Sequence, residues 1–279
     1  MSFVYENYVE SAEHIRRLMG ERRPEVLLIL GSGLGYLAEQ VQDPVVIPYG
    51  EIPHFAVSTV SDHAGRFVIG TLGGRCVMVM QGRVHVYEGY SAEQTAYPVR
   101  VARLLGVHSL LVTNACGAIN ISYAVGDIVL ITDHIRLFDP DPLIGPNLSE
   151  FGPRCCDMTY AYTPSYREAA RRAAAQAGIT LREGVYFYFT GPQFETPAEI
   201  RAARLLGGDV AGMSTVPEVI VASHCGMKVL GFSLVTNMGA GVLEQKLDGA
   251  EVVAAAEAAG DRFSALVLGC LPLLDGEDK

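Results

Sequence analysis

Residues 186–219 read YFYFTGPQFETPAEIRAARLLGGDVAGMSTVPEV, and the rest of the chain is organised around this stretch. Its start continues an aromatic and β-branched run, 185–189, which predicts a buried strand. A glycine-proline turn at Gly191 ends the run, and Phe194 and Glu195 follow directly. The pattern therefore predicts a strand that delivers a ring and a carboxylate to one edge of a sheet.

Two helix starts follow within the same stretch. Thr196 with Glu199 three residues later forms a capping-box pattern, and Thr215 with Glu218 repeats that spacing. The second start places Ser214 beside the first free backbone N–H groups of a helix, a position that favours an anion. The local pattern is equally compatible with ordinary turn residues at these positions.

The composition is that of a globular chain without a basic surface. Its 279 residues are 49% hydrophobic and 19% charged, and no repeat or low-complexity linker divides them, so we predict a single domain spanning 1–279. A net charge of -10 argues against nucleic acids and anionic membranes as partners. The six cysteines form no C-x-x-C pair, and no apolar run approaches the roughly 20 residues that span a bilayer. We therefore expect a reduced, cytoplasmic location and no structural zinc.

A glycine-rich turn follows the first predicted strand, 26–30. The residues GSGLG at 31–35 lie between that strand and a helix-like segment, which suits an anion because glycine lets backbone N–H groups approach it. Stricter motifs are not met: Tyr36 stands where a dinucleotide fingerprint needs its third glycine, and the P-loop lysine is absent. The turn by itself is a weak signal for phosphate.

A second anion signal lies in the segment QGRVHVYEGY, 81–90. Arg83 and His85 are two residues apart and share one side of an extended segment, where a guanidinium and an imidazole can both bind phosphate oxygens. Glu88 is placed to orient the imidazole. A surface ion pair is the competing interpretation, and His63 by itself is typical of a loop residue.

Small and polar residues follow two more predicted strands. Asn114 and Ala115 come after the strand 109–113, and Asn237 follows the strand 228–236. Ligands collect at the carboxyl ends of strands in open α/β sheets. These positions are therefore candidates for the same ligand site.

The last predicted helix, 251–271, carries an apolar stripe. The spacing of the stripe fits one helix face, which indicates packing against the core and not a cofactor site. Its members are Val252, Ala255, Ala256, Ala259, Phe263, Leu266, Val267 and Cys270.

Six sequence runs together carry a family resemblance. They are GSGLG, QGRVHVYEGY, TNACGAIN, GPQFETPAEIR, GMSTVPEVIVASHCG and GFSLVTNMGAG. In this order and with these gaps, the chain resembles the trimeric class of purine nucleoside phosphorylases from about Ile15 to the last helix. Six spaced motifs are far more specific than any one of them.

The resemblance implies a fold and an activity. The fold is a single α/β domain with a central mixed β-sheet flanked by helices, as in other nucleoside phosphorylases, assembled as a homotrimer. The activity is phosphorolysis of purine ribo- and deoxyribonucleosides to the free base and (deoxy)ribose 1-phosphate, in purine salvage. Inorganic phosphate is then a co-substrate, and no cofactor is expected.

Carried over position by position, the resemblance also implies the site residues. Phosphate is expected to contact Ser32, His63, Arg83, His85, Ala115 and Ser214. The nucleoside is expected to contact Tyr87, Asn114, Phe194, Glu195, Met213 and Asn237. Catalytic roles are expected for Asn237, His85 and Glu195, with no metal.

The chemistry of those residues fits this reaction. Phosphate is an adequate nucleophile once it is positioned, so no carboxylate nucleophile is needed. Asn237 donating to N7 stabilises the departing purine anion, and Glu195 accepts from N1–H of a 6-oxopurine. Adenine presents an unprotonated N1 to the same carboxylate. We therefore expect guanosine and inosine to be preferred over adenosine.

Two positions depart from the family pattern. The segment 247–251 lacks the His that often contacts the ribose 5′-hydroxyl. Cys155 or Cys156 occupies the place of an aromatic residue that commonly reaches a neighbouring subunit. Both changes affect recognition of the 5′ group and the ribose.

Three other functions stay open at this stage. A methylthioadenosine or other 5′-modified nucleoside phosphorylase is the first, because the ribose His is missing. A dinucleotide-dependent oxidoreductase would use the glycine turn, but the third glycine and a clear acidic strand end near Glu51 are absent. A non-catalytic nucleoside or phosphate binding protein would bind its ligand without turnover.

Overall fold

A computed structural model of the chain describes residues 3–60 and 63–274. Within those ranges the chain forms six α-helices and nine β-strands. The helices are α1 (Tyr5–Met19), α2 (Ala92–Leu104), α3 (Pro164–Gln176), α4 (Pro197–Leu205), α5 (Val216–His224) and α6 (Gly249–Cys270). The strands are β1 (Val26–Leu30), β2 (Gln42–Pro48), β3 (Arg66–Leu72), β4 (Arg75–Gln81), β5 (Ser109–Ala118), β6 (Ile128–Ile135), β7 (Leu181–Tyr188), β8 (Val210–Gly212) and β9 (Lys228–Met238).

The nine strands form one mixed sheet in the order β2-β3-β4-β1-β5-β8-β7-β6-β9. β1 lies between β4 and β5 and is parallel to both. β9 pairs with β5 as well as with β6, so the last five strands close into a ring. Closure removes the free sheet edge at that end and brings several strand ends around one opening.

Helices pack on both faces of the sheet. One core contains residues of α1, α2 and α5, and a second core contains residues of α3 and α6. β1 contributes to both, because Leu27 and Ile29 face the first core and Val26, Leu28 and Leu30 face the second. Burial on both faces explains why this strand is apolar throughout. The predicted α/β fold class with a mixed sheet flanked by helices is confirmed, while the domain extent 1–279 stays a prediction.

β5 is longer than its sequence pattern indicated. The strand continues through Asn114 and Ala115, which pair with Ser233 and Leu234 of β9. The small residues were expected to follow the strand, but pairing with β9 gives their backbone groups hydrogen-bond partners and extends it. Polar side chains of β5 therefore reach the site from within a strand.

The longest helix, α6, has 22 residues and packs along the sheet. Six members of its apolar stripe are buried as expected: Ala256, Ala259, Phe263, Leu266, Val267 and Cys270. In the part of the chain that the structure describes, neither α6 nor another helix combines the length and the apolar character needed to cross a membrane.

Candidate functional site

A cavity of about 460 Å³ opens where several strands end. Its walls come from the segments after β1 and β4, from β5, from the segments after β7 and β8, from the end of β9 and from the first turn of α6. This volume lies in the range of small-molecule sites, and the position matches the strand-end location of ligands in α/β folds.

Eleven of the twelve site residues expected from the sequence line this cavity. They are Ser32, Arg83, His85, Tyr87, Asn114, Ala115, Phe194, Glu195, Met213, Ser214 and Asn237. The twelfth, His63, lies behind the lining, with its Nε2 3.4 Å from Ser32 Oγ and its ring stacked on His85 at 5.3 Å between centroids. The fold thus brings the predicted residues together, and their individual roles stay predictions.

The turn after β1 approaches β5 closely because it contains glycine. A Cβ atom at Gly31 would lie 2.7 Å from Cα of Asn114, and Gly33 has a φ of +72°. The Gly31 N–H donates to Oγ1 of Thr113 at 3.2 Å, which fixes the turn against the strand. Ser32 is consequently held at the cavity wall.

Arg83 supplies a buried cation to the cavity lining and is 1% exposed. Its Nη1 donates to Oε1 of Glu218 at 3.2 Å and to Oγ1 of Thr215 at 3.3 Å, and its Nη2 donates to the Thr113 carbonyl. Burial raises the pKa of Glu218, and the charge of Arg83 acts in the opposite direction. Contacts from two separate segments, β5 and the start of α5, therefore orient this guanidinium.

His85 lies in a stack of three rings. Its ring is 5.3 Å from that of His63 and 4.6 Å from that of Tyr87, and its Nδ1 lies 3.0 Å from Oε1 of Glu88. Burial, with the charge of the neighbouring arginine, lowers the pKa of His85 to about 4. Burial alone would raise the pKa of Glu88, but hydrogen bonds from Thr59 and His85 outweigh it and hold that pKa below its usual range. A carboxylate thus orients an imidazole that is neutral near pH 7.

The start of α5 differs from the sequence expectation. Thr215 precedes the helix with φ +75° and ψ −50°, and its hydroxyl does not cap the backbone. That hydroxyl instead accepts a hydrogen bond from Nδ2 of Asn114 at 2.9 Å. The predicted side-chain cap at Thr215 is therefore wrong, because Asn114 and Arg83, two donors from elsewhere in the chain, occupy the hydroxyl.

A second group of lining residues comes from the turn after β7 and from the end of β9. Glu195 is half-buried, and burial raises its pKa above the usual range. Oδ1 of Asn237 accepts from Oγ1 of Thr236 at 3.2 Å, and its Nδ2 donates to the Met238 carbonyl at 3.1 Å. These two bonds fix the orientation of the amide and leave one N–H of Asn237 for a ligand.

Sequence reasoning missed the contribution of α6 to the cavity. Val252 and Val253 line it, and Val252 is only half-buried, so its assignment to the core stripe is wrong. Ala255 is half-buried as well. A helix that covers a cavity and a helix that packs on a sheet have the same apolar spacing. The sequence pattern therefore does not distinguish between these two kinds of helix. Full burial of the stripe begins at Ala256.

The two departures from the family pattern lie in different places. Gly249 lines the main cavity, and the segment 247–251 brings no imidazole to it. Cys155 and Cys156 line a separate cavity of about 420 Å³ together with Arg136. Within this chain the two cysteines do not line the main cavity, and their expected position near a neighbouring subunit stays a prediction.

The cavity combines two kinds of chemistry. Arg83, Ser214 and the glycine turn offer donors to an anion, while Glu195 and Asn237 offer an acceptor and a donor to the edge of a heterocycle. In residues 3–60 and 63–274 no group of three or more His, Cys, Asp or Glu side chains is arranged to hold a metal ion.

Comparison with known proteins identifies the family. Residues 25–272 match the family model described as the phosphorylase superfamily. Purine nucleoside phosphorylase 1 of Geobacillus stearothermophilus is 51% identical to the chain over 249 residues, which cover 89% of this chain and 91% of that protein. The chain belongs to the purine nucleoside phosphorylase family. The family resemblance carried by the six motifs is thereby confirmed.

Solved structures of the purine nucleoside phosphorylase family share the fold. Two structures of the Schistosoma enzyme, one in complex with hypoxanthine and one with adenosine, each have a TM-score of 0.90 and 41% identity and cover 96% of both chains. The chain is therefore an enzyme of this family. The oxidoreductase and binding-protein interpretations of the sequence are wrong.

Proposed function

We propose that the enzyme cleaves purine ribo- and deoxyribonucleosides with inorganic phosphate, giving the free base and (deoxy)ribose 1-phosphate. The observation that carries this proposal is one cavity that joins Arg83 and Ser214 to Glu195 and Asn237. Phosphate is the nucleophile, so the reaction needs no further cofactor. Guanosine and inosine are the preferred substrates in this proposal.

The anion-binding end of the cavity positions phosphate for direct attack on the ribose. No covalent intermediate with the enzyme is needed. Ser32, Ser214 and the Ala115 backbone supply neutral donors, and Arg83 supplies the charge that attracts the anion. Holding phosphate beneath the anomeric carbon converts a bimolecular attack into a reaction of oriented groups. The same anion stabilises the positive charge that develops on the ribose.

The other end of the cavity assists departure of the base. Negative charge builds on the purine ring as the glycosidic bond breaks, and N7 carries part of it. The remaining N–H of Asn237, held by Thr236 and Met238, donates to that atom. A hydrogen bond that strengthens as charge builds lowers the barrier more than one that is equally strong in the ground state.

Glu195 distinguishes 6-oxopurines from adenine in this proposal. An ionised carboxylate accepts from N1–H of inosine or guanosine, whereas N1 of adenosine offers it only a lone pair. A relative has been solved with adenosine bound, so binding alone does not measure this preference. The ratio of kcat/KM for inosine to kcat/KM for adenosine measures the preference.

Activity toward inosine is expected to decline with falling pH because Glu195 must be ionised. Burial raises the pKa of Glu195, so it protonates at a higher pH than an ordinary carboxyl group, and kcat/KM falls as the pH drops through that raised value. We expect Glu195→Gln to lower kcat/KM and to flatten this acid limb, since glutamine does not titrate. Profiles of kcat/KM against pH at saturating phosphate, compared between the two proteins, measure the effect. An identical acid limb in Glu195→Gln would contradict the assignment.

The experiment that tests the proposed function is release of free base from guanosine, inosine, adenosine and methylthioadenosine, each with and without inorganic phosphate. We expect phosphate-dependent release from guanosine and inosine. Release without phosphate would indicate a hydrolase. Strict dependence on the methylthio group would indicate the 5′-modified nucleoside phosphorylase, and equal efficiency with guanosine and adenosine would contradict the 6-oxopurine preference.

We further propose that the enzyme acts in purine salvage in the cytoplasm and assembles as a homotrimer. Support for the compartment comes from the six free cysteines, which suit a reducing environment. Support for assembly comes from apolar side chains that this chain leaves exposed, notably Phe138 and Ile144 at 97% and 74% exposure. The mass of the purified protein in solution tests the trimer.

A further inference from the structure

Thr215 has a backbone conformation that is unusual for its residue type. Its φ of +75° is in a region that β-branched residues rarely adopt, and the residue is completely buried. Such a conformation is strained and persists only where surrounding contacts impose it. The residues that contact Thr215 therefore indicate the function of this conformation.

The Thr215 hydroxyl joins three residues of the cavity lining. Nδ2 of Asn114 lies 2.9 Å from Oγ1, Nη1 of Arg83 lies 3.3 Å from it, and Oγ of Ser214 lies 3.2 Å from it. Asn114, Arg83 and Ser214 line the cavity, whereas Thr215 does not. Thr215 therefore acts on a ligand only through these neighbours.

The chemistry of the three neighbours fixes the direction of this network. The Arg83 guanidinium and the Asn114 amide nitrogen can only donate, so Oγ1 of Thr215 accepts from both. The hydroxyl proton of Thr215 is then free to bond to Oγ of Ser214. When Oγ of Ser214 accepts this hydrogen bond, the Ser214 hydroxyl proton is available for another acceptor. An anion bound in the cavity can be that acceptor.

The ion pair between Arg83 and Glu218 completes this support. Glu218 lies one turn into α5 and accepts from Nη1 of Arg83 at 3.2 Å. The Glu218 carboxylate holds the Arg83 guanidinium in place. The Thr215 hydroxyl links that guanidinium to the neutral side chains of Asn114 and Ser214. The methyl group of Thr215 makes no contribution to this hydrogen-bond network.

We propose that Thr215 is a positioning residue for the phosphate co-substrate, whose hydroxyl aligns Arg83, Asn114 and Ser214 as an anion-binding set. This inference rests on the proposed phosphorolysis. It assigns to Thr215 an effect on the affinity for phosphate that is larger than its effect on the affinity for the nucleoside.

Two substitutions of Thr215 separate the hydroxyl from the shape of the side chain. Thr215→Val keeps the branched shape and removes the hydroxyl, whereas Thr215→Ser keeps the hydroxyl and removes the methyl group. Leaving buried donors without an acceptor weakens such a site, so we expect Thr215→Val to raise the KM and the Kd for phosphate about tenfold to a hundredfold. The KM for inosine should change less than about threefold. Thr215→Ser should bind phosphate within about threefold of the wild type.

The measurements are steady-state kinetics with each substrate varied in turn and calorimetric titration of the enzyme with inorganic phosphate alone. Thr215→Ala serves as a second hydroxyl-free variant if Thr215→Val does not fold, with the same expected loss. An unchanged phosphate KM in either hydroxyl-free variant overturns the inference, as does an equal loss in Thr215→Ser. If the wild type itself neither binds phosphate nor releases base with it, the proposed function fails instead.

Discussion

Asn237→Ala is expected to lower kcat for inosine phosphorolysis by about 10²–10³, which is the usual effect of removing one oriented donor from a developing anion. The KM for inosine should change much less, because the bond from Asn237 to N7 strengthens only as the glycosidic bond breaks. Rapid assays of base release at saturating phosphate give both constants.

A modified substrate provides the matched control for Asn237→Ala. In 7-methylinosine the N7 position is blocked and the base departs without becoming an anion, so the amide of Asn237 has no charge to stabilise. The variant should therefore retain most of the wild-type rate with this substrate. An equal loss with inosine and with 7-methylinosine would show that Asn237 maintains the structure of the site and does not assist the leaving group.

Arg83→Met is expected to affect both stability and activity. Removing the guanidinium leaves the carboxylate of Glu218 buried without its partner, which costs about 3–5 kcal/mol in the free energy of unfolding. The cavity also loses its buried cation, so saturation with phosphate should no longer be reached at millimolar concentrations. Urea unfolding and phosphate-dependent base release measure the two effects.

The double variant Arg83→Met with Glu218→Met separates stability from function. Replacing a whole buried ion pair by apolar side chains of similar size is often neutral, so the double variant should recover most of the lost stability. Its activity should remain as low as that of Arg83→Met, because no cation faces the anion. Recovery of activity along with stability would mean that Arg83 serves folding and not phosphate binding.

Features that depend on neighbouring residues in the sequence were predictable. The capping box at the start of α4 is present as expected: Oγ1 of Thr196 accepts from the Glu199 N–H at 3.2 Å, and Oε2 of Glu199 accepts from the Thr196 N–H at 2.7 Å. The buried strand β1 was equally clear from its apolar run. Both features arise from contacts within a few residues or from burial of a whole segment, which the local sequence encodes.

The same spacing at Thr215 and Glu218 gave a different result. There the hydroxyl accepts from Asn114 and Arg83, which are 101 and 132 residues away in the sequence. Donors from distant segments, and not a local backbone N–H, are bound to this hydroxyl. A capping pattern beside a binding cavity is therefore less predictive than the same pattern at an exposed helix end.

By itself, the sequence determined the family, the apolar strands and eleven of the residues that line the cavity, because six motifs and strand ends are properties of the local chain. Only the tertiary structure decided that β9 closes the strands into a ring, that Val252 covers the cavity, and that the Thr215 hydroxyl connects Arg83 to its neighbours. These outcomes depend on contacts between residues far apart in the sequence. Their distances and hydrogen-bond directions are set by packing of the whole domain and have no counterpart in any local pattern.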